Sequence, residues 1–417
     1  MKINSFSAIK YIVLFSGMFD FLNMVLKVPN GLSVLKIIIT LMLLLSGVLL
    51  IVFSTKLHWR INYQIDSYLY VLYVLLLIWS VLVIIRSFST EMQDMLTLLG
   101  NRQMGWVWLT PLAFAFGMRI EYLFVLSSFW ISMLRVFLII FLMIFISMPY
   151  HSVFSMQTIF LPTVFLIMIV NYLNFEGKII IFFSVLALLI ISNIGSDVGG
   201  DVRINYVFIA MALAVMYLLN VFYEKTPPFR KASIMMGTLF IMMILSVSMF
   251  HTSNDKKIEV QDTRTFLYEE MFDDLSIGDT IVGRGALGKY YSPFFAHWNE
   301  MGYALGDSDM RPTVEVGYLK MILKGGWLLL FLSVIILLTG AIKGMFYSRN
   351  NLSRACGSYI FMYLILWFLS LPPAYSPNLL LVWIAAGVCL THRIGQMSEV
   401  ELKKVIAENN IKYFKVL

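Results

Sequence analysis

The chain has 417 residues, of which 60% are hydrophobic and only 13% are charged, and its formal net charge is +7. Water-soluble domains are about half apolar and about one-quarter charged, so this composition excludes a soluble fold. The basic residues are dispersed among short loops between apolar segments, which fits membrane topology and argues against nucleic acid as a partner. Both cysteines, Cys356 and Cys389, lie within or beside apolar segments, so no extracellular disulfide framework is expected.

Apolar segments of about 20 residues recur along the chain, and a helix of that length crosses a bilayer. Their uninterrupted apolar runs lack the alternation of a barrel, so the sequence predicts an all-α, polytopic integral membrane protein with about 12 transmembrane helices. Eleven spans are the alternative, because the fourth is short and the first is polar for a span. The predicted spans are 9–28, 33–54, 67–88, 105–119, 122–147, 155–173, 178–193, 204–222, 232–250, 314–341, 356–371 and 376–391.

The orientation follows from the lysines and arginines, which concentrate in every second loop, at 55–66, 222–231 and 342–355. Basic loops stay on the cytoplasmic side, so both termini are predicted inside. This arrangement divides the chain into four parts: an N-terminal bundle of about nine spans (1–250), a large extracytoplasmic loop (251–313), three C-terminal spans (314–391) and a cytoplasmic tail (392–417).

The large loop has the composition of a soluble segment, and long loops on rigid scaffolds often carry function. Residues 263–274 predict a short amphipathic helix, with Leu267 and Met271 on its apolar side. Residues 283–288 read Gly-Arg-Gly-Ala-Leu-Gly and match the GxGxxG pattern literally. No βαβ unit surrounds them, so a turn is expected there rather than a dinucleotide site.

Three arginines are candidates for binding an anionic substrate: Arg203 behind a glycine-rich turn, Arg264 early in the large loop, and Arg284 in the 283–288 turn. A guanidinium group stays charged and donates two parallel hydrogen bonds, which suits phosphate and diphosphate. The alternative is that each arginine pairs with a nearby acid of its own loop: Asp197, Asp262 and Asp279.

Glu315 stands where the large loop enters the tenth span, and helical spacing places it on one face with Tyr318. A partly desolvated carboxylate there can act as a general base, whereas the alternative is an acidic residue favoured by the helix dipole. His297 is either catalytic or a solvated loop residue. No His, Cys, Asp and Glu cluster has metal-ligand spacing, so neither a metal nor a cofactor is expected.

The second half of the chain, roughly 190–390, resembles the bacterial O-antigen polymerase and ligase superfamily (Wzy/WaaL-like membrane glycosyltransferases). The resemblance rests on a large outer loop between the ninth and tenth spans, on Arg264 followed by Gly283-x-Gly285, and on the loop exit at 315–326. The turn at 195–203 looks like a degenerate Ser-Arg-Gly element of the family. Ligases place a histidine at the loop exit where this chain has Glu315, which favours the polymerase branch.

The resemblance implies an enzyme of surface polysaccharide biosynthesis in the bacterial inner (cytoplasmic) membrane, with the large loop periplasmic or extracellular. It would join repeat units linked to undecaprenyl diphosphate, with Glu315 and Arg264 catalytic and with Arg203, Arg284, Tyr318 and His297 binding diphosphate or glycan. Its other partners would be membrane lipid and the chain-length regulator and flippase of the same pathway.

Two alternatives stay open. A ligase would transfer glycan to lipid or protein, and a catalytic histidine in the loop would distinguish it. A lipid-linked oligosaccharide flippase or other transporter would show repeat symmetry and a charged central cavity.

Overall fold

A computed structural model describes the chain over nine stretches, and their residues are overwhelmingly α-helical. The all-α prediction is confirmed for this part of the chain. The ninth predicted span, 232–250, lies outside it, and so do Arg264 and most of the 195–203 turn. The described residues are 5–25, 34–58, 64–147, 157–197, 203–222, 265–300, 309–369, 372–409 and 411–414.

The first half of the bundle is made of helices of very different lengths. In chain order they are Ser5–Val25, Val34–His58, Ser67–Ile85, Met92–Gly100, the 3₁₀ helix Trp106–Ala113 with Phe114–Gly117 directly after it, Ile120–Ser147, Gln157–Phe160, Thr163–Met168, the 3₁₀ turn Val170–Tyr172, Phe175–Asp197 and Arg203–Phe222.

The second half begins with short helices of the large loop and ends with three long ones and a tail. These are Thr265–Asp274, Ile277–Val282, Pro293–Glu300, Gly317–Ile342 with a π-helical turn at Lys343–Tyr347, Asn351–Leu369, Pro377–Leu390, His392–Gln396 and Glu399–Glu408. Two-residue strands, Tyr290–Tyr291 and Met310–Arg311, pair antiparallel within the large loop.

Within the described residues, five helices are long and apolar enough to cross a membrane: Ile37–Leu57, Ser67–Ile85, Ile120–Met143, Phe175–Ser192 and Gly317–Tyr347. They expose large apolar side chains such as Leu41, Val71 and Phe182, as expected of surfaces that face lipid. Four further apolar helices are shorter: Ser5–Phe19, Trp106–Gly117, Asn205–Leu219 and Pro377–Leu390. The class of membrane protein is therefore supported, whereas the number of 12 spans stays a prediction.

The segment predicted as the short fourth span, 105–119, is built mainly as a 3₁₀ helix, Trp106–Ala113. A 3₁₀ helix rises about 2.0 Å per residue against 1.5 Å for an α-helix, so Trp106–Gly117 spans roughly 22 Å with few residues. Its neighbours approach closely, because a Cβ on Gly47 would lie 2.0 Å from the Trp106 ring and one on Gly117 would lie 1.9 Å from the carbonyl oxygen of Ile384. Small residues thus allow this element to pack inside the bundle.

The helix Gly317–Ile342 is broken at Gly326, which has φ +69° and ψ −177°. We call it the broken helix. The carbonyl oxygens around the break bond outside the helix: those of Leu323 and Lys324 accept from the backbone N–H groups of Arg284 (2.8 Å) and Gly285 (2.9 Å). The carbonyl oxygen of Gly325 accepts from the Trp79 indole at 2.8 Å. All three acceptors are therefore satisfied within the protein.

Two of the three donors at the break belong to residues 283–288, which we call the glycine turn. These residues have the predicted turn conformation. Gly283 has φ +73°, and a Cβ there would lie 2.4 Å from the backbone of Lys324. A Cβ on Gly326 would lie 2.0 Å from the carbonyl oxygen of Ile281. Both glycines are required because the two backbones touch at angles that other residues rarely adopt.

The amphipathic helix predicted in the large loop is confirmed as Thr265–Asp274, with Leu267 and Met271 buried. It begins two residues later than the predicted range of 263–274.

The predicted cytoplasmic loops meet at one end of the bundle, the inner end. Asp66 contacts the Lys343 ammonium and lies 2.8 Å from His392 Nε2. The tail lies there too, since Asn174 N donates to the carbonyl oxygen of Tyr413 at 2.9 Å. The glycine turn and the start of the broken helix meet at the opposite, outer end. Loops predicted to lie on the same side of the membrane thus contact each other at the same end of the bundle. Which end faces the cytoplasm stays a prediction.

Gly326→Ala should destabilise the protein by about 2 kcal/mol or more, because a left-handed alanine costs about 1–2 kcal/mol and its Cβ would strike the Ile281 carbonyl. Thermal unfolding of purified protein in detergent measures the effect. The matched control is Gly278→Ala, whose Cβ would meet only Ser276 Oγ at 3.7 Å. An unfolding midpoint for Gly326→Ala equal to that of the control would contradict the described break.

Cysteine labelling tests the orientation. Ile277 is 82% exposed at the outer end and Val400 is 71% exposed in the tail, whereas Cys356 and Cys389 are buried. Ile277→Cys should react with a membrane-impermeant maleimide in cells whose outer envelope is permeabilised while the inner membrane stays intact. Val400→Cys should react only after the inner membrane is permeabilised as well. The reverse pattern would invert the topology, and unchanged wild-type protein serves as the control for native thiols.

Candidate functional site

The structure does not describe the side chains of two of the arginines predicted to bind substrate. Arg264 lies outside the described residues. Arg203 is the first residue of the helix Arg203–Phe222, and its side chain lies outside the described part. Their predicted roles therefore stay predictions. The other four predicted residues, Glu315, Tyr318, Arg284 and His297, all lie at the outer end or in the large loop.

Glu315 does not lie on the broken helix. The helix begins at Gly317, and Val316 before it has extended backbone angles, φ −96° and ψ 126°. The predicted helical face shared by Glu315 and Tyr318 is therefore wrong, because the chain becomes helical only after Glu315. The Glu315 carboxylate instead accepts from Arg311 Nη2 at 2.6 Å, and its side chain is 55% exposed. It is thus an accessible carboxylate held by one guanidinium.

Arg311 connects Glu315 to the interior of the large loop. Its side chain is only 13% exposed, and its Nη1 donates to the Tyr290 hydroxyl at 3.2 Å. Arg311 and Tyr290 are also opposite each other in the two-stranded pair. Burial raises the pKa of Tyr290 to about 12, although the positive charge of Arg311 acts to lower it. The phenol therefore stays neutral at physiological pH. The pair Arg311–Glu315 therefore rests on a rigid, buried tyrosine.

Arg284 is held by acids and carbonyl groups of its own loop. Its guanidinium contacts the Asp274 carboxylate, lies 3.1 Å from Asp279 Oδ2, and donates to the carbonyl oxygens of Asp274 at 2.6 Å and Lys289 at 2.8 Å. These contacts occupy four of the five guanidinium N–H donors. The geometry therefore favours the alternative considered from the sequence, in which Arg284 pairs with loop acids such as Asp279.

Tyr318 and His297 occupy different surroundings. The Tyr318 ring lies 5.1 Å from the Phe368 ring and 5.8 Å from the Tyr268 ring, so it joins an aromatic group at the outer end of the bundle. His297 is exposed in the helix Pro293–Glu300, and it makes no hydrogen bond or ion pair with any described residue. No described contact joins His297 to Glu315.

The outer half of the broken helix carries two fully buried lysines, Lys320 and Lys324. Lys320 Nζ donates to the carbonyl oxygen of Pro373 at 2.9 Å. Lys324 Nζ donates to the carbonyl oxygen of Gly288 at 2.7 Å and lies 3.7 Å from Met104 Sδ. Within the described part, no carboxylate contacts either ammonium group. A buried cation without a counter-charge is costly, so these two positions indicate function.

Two arginines lie near the two lysines. Arg86 donates to the carbonyl oxygens of Val282 (2.7 Å) and Gly283 (2.6 Å). The carbonyl oxygen of Arg102 accepts from the backbone N–H of Tyr375 at 2.8 Å, close in the chain to the Pro373 carbonyl that accepts from Lys320. We call Arg86, Arg102, Lys320 and Lys324 the outer cation cluster. Three of them, Arg86, Lys320 and Lys324, contact uncharged acceptors alone among the described residues. Such a cluster raises the local concentration of anions.

Sequence reasoning missed the outer cation cluster, although one signal was present. Lys320 and Lys324 are four residues apart, so on a helix they share a face within an apolar span. Their burial depends on the contacts of Pro373 and Gly288, which come from distant parts of the chain.

No metal site is visible in the part of the chain that the structure describes, because no three side chains of His, Cys, Asp or Glu lie close enough together.

Comparison with known proteins gives no match to a family model, to a characterised protein or to a solved structure. The resemblance to the polymerase and ligase superfamily therefore stays a prediction, and the function has to be argued from the geometry.

Asp279 gives the outer end a pH-dependent stability. Burial raises its pKa, but hydrogen bonds from Arg284 and Ser276 outweigh burial, so the pKa lies below its ordinary value of 3.8. The ionised form therefore stabilises the fold above about pH 4, and this contribution is lost as the pH falls through the folded-state pKa. Asp279→Asn should unfold at a lower temperature than wild type at pH 7, and the two midpoints should converge on acidification.

Thermal unfolding between pH 7 and pH 3 measures this difference. Asp273→Asn is the control, because Asp273 is exposed and makes no contact with Arg284. A gap between wild type and Asp279→Asn that stays constant over the whole pH range would refute an electrostatic origin.

Proposed function

We propose that this chain is a membrane glycosyltransferase that polymerises glycan repeat units linked to undecaprenyl diphosphate, on the outer face of the bacterial inner membrane. The observation that carries the proposal is the pair of buried lysines, Lys320 and Lys324, on the broken helix beneath the glycine turn. The features that carried the sequence resemblance, the glycine turn and the loop exit, meet at this place.

The proposed reaction is a displacement at the anomeric carbon of the donor glycan. A hydroxyl oxygen of the acceptor unit forms the new glycosidic bond, and the bond between the anomeric carbon and the diphosphate oxygen breaks. The electron pair leaves with undecaprenyl diphosphate, and the hydroxyl proton passes to a base. Catalysis therefore needs positively charged protein groups next to the leaving diphosphate, and a carboxylate next to the acceptor hydroxyl.

The outer cation cluster fits the first requirement. Positive groups in a site that excludes water stabilise developing negative charge more strongly than the same groups in solvent. In the described structure, Lys320 and Lys324 donate to the carbonyl groups of Pro373 and Gly288. Diphosphate oxygens would replace these uncharged acceptors, because in a site of low dielectric an anionic oxygen attracts an ammonium group more strongly than a neutral carbonyl oxygen does. Arg264 and Arg203 keep their proposed roles in the same step.

Glu315 is the proposed base. Its carboxylate is accessible and lies directly before the broken helix, four residues from Arg311. The Arg311 guanidinium holds the carboxylate in place beside the helix start, where an acceptor hydroxyl can reach it. Tyr318, with Phe368 beside it, offers an aromatic surface for the glycan, and His297 stays a candidate for contacts farther out in the loop.

Reconstitution tests the proposal. Purified protein in liposomes should convert a repeat unit on undecaprenyl diphosphate into a ladder of longer chains and release one undecaprenyl diphosphate per bond formed. Transfer of glycan only to an added lipid or protein acceptor would instead identify a ligase. Movement of the lipid-linked unit across the bilayer with no new glycosidic bond would identify a transporter and contradict the proposal.

Two variants assign the roles in this assay. Glu315→Gln removes the basic oxygen, so polymer formation should fall by about 10² or more. Lys320→Met keeps the length of the side chain and removes the charge; turnover should fall at least about tenfold, while the amount of inserted protein is maintained because a buried charge is lost. Lys403→Met, at an exposed position of the tail, is the matched control. Wild-type turnover by Lys320→Met would remove the outer cation cluster from the mechanism.

A further inference from the structure

A second candidate site lies at the inner end of the bundle, opposite the outer cation cluster. A cavity of about 270 Å³ is bounded by the end of the helix Val34–His58, the turn before Ile120–Ser147, and residues from Thr391 onwards, which follow the helix Pro377–Leu390. Leu57, which lines it, is the last residue of one apolar span, and Ile120 is the first residue of another. The cavity therefore lies where two spans end, at the depth of phospholipid headgroups.

Two guanidinium groups line this cavity, and neither is satisfied by the residues that the structure describes. Arg393 is exposed and makes no hydrogen bond or ion pair with any of them. Arg119 Nε lies 3.9 Å from Glu121 Oε2, which is longer than a hydrogen bond, and its guanidinium lies 5.5 Å from the centre of the Tyr122 ring. Both groups retain donors for an oxyanion.

The charge of the lining selects among oxyanions. Arg119 and Arg393 contribute two positive charges and Glu121 contributes one negative charge, so the three together carry +1. A phosphodiester carries −1, whereas a phosphate monoester carries about −1.5 to −2 at neutral pH. The cavity therefore matches a phosphodiester, which is the linkage found in phospholipids.

One further group indicates what else the ligand carries. Gln64 lines the cavity, and its buried Oε1 has no hydrogen-bond partner among the described residues. An amide oxygen accepts from a hydroxyl, and a buried acceptor without a donor is costly. Met118, Ile394 and Met397 supply an apolar wall beside these polar groups. A hydroxyl-bearing headgroup attached to an apolar body fits this combination.

We propose that this cavity binds the headgroup of an anionic phospholipid, with Arg119 and Arg393 on the phosphodiester and Gln64 on a headgroup hydroxyl. Basic pockets between spans on the cytoplasmic side are suited to anionic lipid headgroups. The site lies outside the proposed glycan chemistry and does not depend on it.

Native mass spectrometry of the full-length protein in detergent tests the proposal, with phosphatidylglycerol and phosphatidylcholine added in turn. Wild type should retain one phosphatidylglycerol in preference to phosphatidylcholine. Arg393→Gln should weaken retention about tenfold, and Arg119→Gln with Arg393→Gln should weaken it further, because each guanidinium supplies charge-assisted hydrogen bonds. Lys403→Gln removes one positive charge from an exposed residue that does not line the cavity, and it should retain the lipid as wild type does.

Three results would overturn the proposal. The first is equal retention of the two lipids by wild type, which needs no variant. The second is wild-type retention of phosphatidylglycerol by Arg393→Gln, whose exposed side chain can be changed without disturbing the core. The third is full displacement of the lipid by an equal concentration of glycerophosphoglycerol, the same headgroup without acyl chains, because the site would then recognise a soluble phosphodiester.

Discussion

A polypeptide inside a bilayer has to satisfy its backbone N–H and C=O groups within the protein, and the outer end of this chain is arranged around that constraint. The break at Gly326 leaves carbonyl oxygens of the broken helix without intrahelical partners. The glycine turn and the Trp79 indole supply the missing donors. A segment of the large loop therefore completes the hydrogen bonding of the broken helix.

The same docking explains how the charges are distributed. Arg284, within the glycine turn, is neutralised by Asp274 and Asp279, so it stabilises the docked loop. Lys320 and Lys324, on the helix below, contact only uncharged acceptors in the described region: the carbonyl oxygens of Pro373 and Gly288 and the sulfur of Met104. Within the described region, the cation of the docked loop thus has carboxylate partners, whereas the two lysines that we propose for diphosphate binding have none.

The sequence predicted the features that depend on local pattern. Apolar content indicated the membrane class, and the alternation of glycines indicated the turn at 283–288, because both follow from nearby residues. Features that depend on distant contacts could not be predicted: the burial of Lys320 by Pro373, and the helix start at Gly317 rather than before Glu315. The same limit applies to Arg284, whose pairing with Asp274 needed the fold to bring residues ten positions apart together.

The contacts of the tail also constrain the order in which the protein is assembled. Ser128 donates to the carbonyl oxygen of Lys412 at 2.7 Å, and Leu173 forms a backbone bridge with Phe414. The first of these contacts joins residues that are 284 positions apart in the chain. Ser128 and Leu173 can gain these partners only after residues 411–414 have been synthesised, so this part of the inner end is completed long after the helices that it joins have been made.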